Sequence, residues 1–194
     1  MEIKQRQLEI IEAAGEILTQ LGLAGLTTKN LAAKMGFSES ALYRHFKSKE
    51  EIVITMLKYL AIDINTRIEN TISDIESPQE KLKALFNSQF AFFKQNPHFM
   101  IAIFSDGLLE ASKEINKAIT NIMAITKMHL MQIIREGQKQ KQFNNDLPPE
   151  DLTHIIMGSF RLHMVQWRLS GYAFDLKVKG NKLMSNLFTL MSPK

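Results

Sequence analysis

Between Thr27 and Lys49 the chain reads TTKNLAAKMGFSESALYRHFKSK, which sets five cations, Lys29, Lys34, Arg44, Lys47 and Lys49, among the hydroxyls of Thr28, Ser40 and Tyr43. Glu39 is the only acid in this window, so it carries +4, equal to the formal charge of the whole 194-residue chain. The remaining charges cancel. Cations and hydroxyls gathered in one short stretch suit the phosphates and base edges of a nucleic acid. A total of +4 is too small for a diffuse polyelectrolyte binder, although the pI is near 9.2.

Two helix starts and a turn position these groups. Thr27 is placed to cap a first short helix, with Leu26 and Leu31 as its hydrophobic staple, and Ser38 to cap a second, with Phe37 and Leu42. Gly36 falls where the first helix must end, and glycine accepts the left-handed conformation that such an end commonly uses. The pattern predicts a helix-turn-helix whose second helix spans Glu39 to Phe46. An amphipathic helix from about Lys4 to Leu21, ended by Gly22, would cover the inward residues Leu31, Ala32, Met35, Leu42 and Phe46. Ser48 and Glu51 form a capping box that starts a further helix running to about Ile72, with Lys49 in its first turn.

Beyond it, Ser77-Pro78-Gln79-Glu80 opens another helix, Asn96-Pro97 divides that helix from a shorter one, and Ser105-Asp106-Gly107 interrupts. The stretch from about Ser112 to Lys141, apolar on most sides between Ile115 and Ile134, reads as a buried central helix, in which Gly137 costs about 1 kcal/mol relative to alanine. Two more helices are expected, from Pro149 to Ser170 and from Asp175 to Met191. The fold class is all-α with about nine helices. Residues 1–50 form a DNA-binding domain with its motif at about 27–46, and 51–194 form a larger helical domain.

The absence of cysteine excludes disulfides, thiol nucleophiles and cysteine-based metal sites. No G-x-S-x-G elbow, phosphate-binding glycine loop or H-E-x-x-H is present, so no enzyme activity is expected. His129, His154 and His163 lack a linking carboxylate motif, and neither a metal nor a cofactor is expected. There is no apolar signal core and no 18-residue apolar run, which predicts a soluble cytoplasmic protein without membrane contact.

The run LTTKNLAAKMGFSESALYRHFKSKEE resembles the DNA-binding motif of the TetR family of transcriptional regulators, over roughly residues 4 to 55, with L-Y-x-H-F-K-S-K its most specific part. The resemblance implies a homodimer on a palindromic double-stranded DNA operator, released when a small molecule enters the C-terminal domain. It places the dimer bundle in the helices at about 149–170 and 175–191. The DNA-binding set it implies is Thr27, Thr28, Lys29, Ser38, Glu39, Ser40, Ala41, Tyr43, Arg44, His45 and Lys49. Thr28, Lys29, Tyr43 and Lys49 would meet phosphates, Ser40 and Ala41 base edges, and Arg44 either a guanine edge or the backbone. Glu39 either accepts from a cytosine amine or caps its helix, and His45 either packs beside Phe46 or touches DNA.

The larger domain is rich in phenylalanine and methionine, which together make adaptable pockets, so an apolar or amphipathic effector is expected. Its candidate contacts are Phe86, Gln89, Phe90, Phe93, Phe104, Met128, Met131, Phe160, Met164 and Trp167. The leading expectation is a repressor. The alternative is a DNA-bound adaptor that acts through a protein partner on this domain.

Overall fold

The computed structural model describes residues 4–104 and 112–193. Among these residues there are nine helices and no strand: α1 (Gln5–Gly25), α2 (Thr28–Met35), α3 (Glu39–Leu42), α4 (Lys49–Ile72), α5 (Pro78–Gln95), α6 (Pro97–Phe104), α7 (Lys113–Lys139), α8 (Pro149–Leu169) and α9 (Leu176–Met191). The expected interruption at Ser105-Asp106-Gly107 lies outside the described residues. None of the described helices is long and apolar enough to cross a membrane.

Contacts divide the chain into two compact units. The first comprises the chain up to Ile62 together with Asn96–Ile122; the second comprises Asp63–Gln95 and the chain from Met123 onward. In the first, Ile10, Ala14 and Leu18 of α1 are fully buried, as are Leu31, Leu42 and Phe46 around the turn. α6 packs on α1, where Gly15 leaves room for the imidazole of His98; a Cβ at position 15 would lie 2.7 Å from its Cδ2. In the second unit α9 lies against α5, and Gly180 admits the ring of Phe90, which a Cβ would meet at 2.6 Å.

Gly22 ends the first long helical run as expected, with non-helical φ 66° and ψ −168°, and a short further turn follows it to Gly25. Two expectations are corrected. α3 ends at Leu42 rather than Phe46, because the next amides bond three residues back, Arg44 to the Ala41 carbonyl and His45 to that of Leu42, a tightening common at helix ends. α7 is not buried all round. It hides Ile115, Ile119, Ile122, Leu130, Ile133 and Ile134 but leaves Met123 and Met128 exposed.

Gly137 is explained by its neighbour. Lys141 adopts φ 58° and turns the chain back, so that the amides of Gln142 and Phe143 both donate to the Gly137 carbonyl, at 2.8 and 3.1 Å. The buried Phe143 ring then lies where a side chain at 137 would be, 2.1 Å from an added Cβ. Gly137→Ala is therefore expected to destabilise the fold by about 1–3 kcal/mol despite alanine's higher helix propensity, as measured by denaturant unfolding.

Burial holds the imidazoles of His98, His129 and His163 below their ordinary pKa, partly countered at His98 by Glu16 and at His129 by Glu69. The folded state therefore binds fewer protons than the unfolded chain below the unfolded value of about 6.5. The contribution of these three histidines to stability is full above that value and is lost as pH falls toward the depressed folded values. The midpoint of thermal unfolding should fall between pH 7.5 and 5.5, and His98→Gln should flatten that dependence.

Candidate nucleic-acid interface

The turn between α2 and α3 is built as the sequence predicts. The Thr27 hydroxyl accepts from the Asn30 amide at 3.1 Å, and that of Ser38 accepts from the Ala41 amide at 3.2 Å. Gly36 takes the left-handed conformation, φ 66° and ψ 29°, and the Phe37 amide reaches back to the Ala32 carbonyl at 2.8 Å. α4 starts on Ser48, whose hydroxyl accepts from the Glu51 amide at 3.1 Å. The Glu51 carboxylate closes the box one residue early, accepting from the amide of Lys47 instead of Ser48.

This frame leaves Lys29, Tyr43, Arg44, Lys47 and Lys49 exposed, Tyr43 to 49 %. Among the described residues no ion pair engages these four cations. Lys34 differs, being paired with Glu16 on α1. Ala41 is half-buried, and Ser40 is exposed with its hydroxyl 2.9 Å from that of Ser38. His45 is half-buried, its ring stacked 6.4 Å from that of Phe37 and its carbonyl accepting from the Gln7 side chain at 3.2 Å. Thr28 donates its hydroxyl proton to the Glu39 carboxylate at 2.7 Å.

Sequence reasoning missed Arg6, whose guanidinium lies 5.1 Å from the centre of the Phe37 ring and pairs with Glu9. Nothing local announces it, since Arg6 and Phe37 meet only through the fold.

In the second unit Phe86, Phe90 and Phe93 of α5 surround Phe160 of α8, with ring centres 5.5–6.2 Å from it. Met164 and Trp167 are buried, and the indole donates to the Phe174 carbonyl at 3.0 Å. Gln89 is buried and accepts from Arg67 at 2.9 Å, while the Arg67 guanidinium also pairs with Asp63 and lies 3.9 Å from the Phe92 ring centre. Met131 is partly buried, whereas Met128 is 54 % exposed and belongs to the surface; Phe104, also partly buried, belongs to the first unit and not to this one. On α8 and α9 an apolar stripe faces outward: Ile155, Leu162 and Leu169 on the first, Val178 and Leu190 on the second. A shallow groove of about 220 Å³ lies beside it, lined by Leu147, Ile155, Leu187 and Leu190 among others. A side chain added at Gly158 would meet no atom within 4 Å.

Known proteins match along the whole of this architecture. Residues 10–56 match the family described as bacterial regulatory proteins, tetR family, and residues 60–191 match that of the YsiA-like protein, C-terminal region. A nucleoid occlusion factor, SlmA of Shewanella halifaxensis, is 24% identical over 189 residues, covering 96% of this chain and 92% of its own. Among solved structures, the regulator FadR of Bacillus subtilis in complex with stearoyl-CoA superposes with a TM-score of 0.82 at 23% identity, covering 95% of this chain and 98% of its own. The fatty acid degradation regulator FadR of Bacillus halodurans gives 0.87 at 19%, covering 97% of each. With both its DNA-binding and C-terminal regions matched, the chain belongs to the tetR family of bacterial regulatory proteins, as a helix-turn-helix DNA-binding transcriptional regulator.

Proposed function

We propose that the chain is a homodimeric repressor that holds a palindromic operator and lets go when a small apolar or amphipathic effector enters the larger domain. In this reading residues 1–50 read DNA, and 51–194 bind the effector and pair the two copies. The observation that carries it is the excess positive charge gathered on a doubly capped helix-turn-helix, in a chain whose remaining charges cancel. α3 lies in the major groove, with Lys29, Tyr43 and Lys49 on the flanking phosphates.

The aromatic cluster of Phe86, Phe90, Phe93 and Phe160 supports an apolar effector, as does the likeness to a fold crystallised with stearoyl-CoA, an apolar tail on an anionic head. The outward stripe on α8 and α9, with open space at Gly158, supports pairing through these two helices. The second reading, a DNA-bound adaptor, is favoured by the nucleoid occlusion factors among its relatives.

Selection of bound sequences from a random duplex pool tests the first reading. A palindrome with half-sites about one helical turn apart is expected, and stearoyl-CoA titrated onto that duplex should release the protein, read as loss of fluorescence anisotropy. Operator binding that survives this ligand and other apolar or amphipathic ligands would turn the assignment toward the adaptor.

Lys49→Ala should weaken binding to operator and random duplex by the same factor. It should also reduce the slope of log K against log salt by about one, since a single phosphate contact is lost. An unchanged slope removes Lys49 from the interface.

A further inference from the structure

We propose that Glu39 is a specificity-determining residue that reads a cytosine in each half-site, and that Thr28 is the residue that positions it. The proposal rests on the DNA-binding reading above and assigns one side chain its task within it.

Glu39 is the one acid between residues 27 and 49, it is exposed, and it is the first residue of α3. A carboxylate set among phosphates is repelled unless some group donates to it. The amides of Ala41 and Leu42 do not claim it, because the Ser38 side chain and carbonyl take them. The Thr28 hydroxyl does, across eleven residues and from a different helix, and it engages Oε2 alone. Oε1 remains as an acceptor on the exposed face, and the bond to Thr28 removes much of the rotamer freedom that a glutamate would otherwise lose on binding.

In the major groove, the base that best suits a fixed carboxylate oxygen is cytosine, whose N4 amine donates. Adenine also offers an amine, at N6, but its N7 lone pair lies beside it and repels a second carboxylate oxygen. Guanine and thymine present acceptors there. Glu39 therefore excludes as well as selects: its charge penalises every half-site that lacks an amine at that position. This accounts for an acid in a window that is otherwise built to attract phosphates.

The test is selection from a random duplex pool at fixed salt with the wild type, Glu39→Ala, Glu39→Gln, Thr28→Val and Thr28→Ser. Glu39 is exposed and Thr28 half-buried, and melting curves verify that each variant folds. The wild type should enrich cytosine about tenfold at one position of each half-site. Glu39→Ala should lose that enrichment and keep the rest of the palindrome, while Glu39→Gln should move the position toward adenine, which a carboxamide can bond through N6 and N7. Thr28→Val should blunt the preference and Thr28→Ser should retain it. A cytosine preference that persists in Glu39→Ala overturns the proposal, as does a position sensitive to Glu39 that prefers any other base. Enrichment untouched in Thr28→Val removes Thr28 from it. If the wild type recovers no palindrome, the operator-binding reading itself fails and takes this one with it, a result distinct from the others.

Discussion

A reversal of the chain within three residues depends on Gly36. Its left-handed backbone lets the Phe37 amide return to the Ala32 carbonyl and its own amide bond that of Ala33, and α3 starts on Ser38 directly afterwards. A residue with a Cβ in this conformation is strained. The crossing of α2 and α3, and with it the placing of every exposed cation around them, follows from that one torsion. Leu31, Leu42 and Phe46 then lock the crossing from beneath by burial.

Charge is arranged with the same economy. Where cations serve the fold they are tied down: Lys34 to Glu16, Lys81 to Glu136, Arg67 to Asp63. Those around α3 are left open to solvent. Partly exposed ion pairs of this sort add little to stability, so their value lies in cancelling charge that would otherwise blur the contrast between the cationic surface around α3 and the rest.

Local chemistry explains what could be read from the sequence. The caps at Thr27 and Ser38, the turn at Gly36 and the proline start of α5 involve residues within a few positions of one another, and each was legible. The end of α3 was not, because Tyr43, Arg44 and His45 are all able to continue a helix and only the burial of Phe46 and the early start of α4 oblige the backbone to tighten. α7 misled because its apolar residues are dense enough to suggest burial on every side, while Met123 and Met128 in fact face outward. The bond between Thr28 and Glu39 and the place of Arg6 over Phe37 needed the tertiary fold, since no periodicity links residues 11 or 31 positions apart.

The pairing of Gly137 with Phe143, and of Gly180 with Phe90, bears on how such a chain can diverge. In each pair the glycine and the ring occupy one shared volume, so neither position drifts alone. Either single change carries a cost of its own: a shrunken ring leaves a void, and a side chain at the glycine overpacks the same space. The two positions of each pair are therefore coupled, and a change at one favours a compensating change at the other.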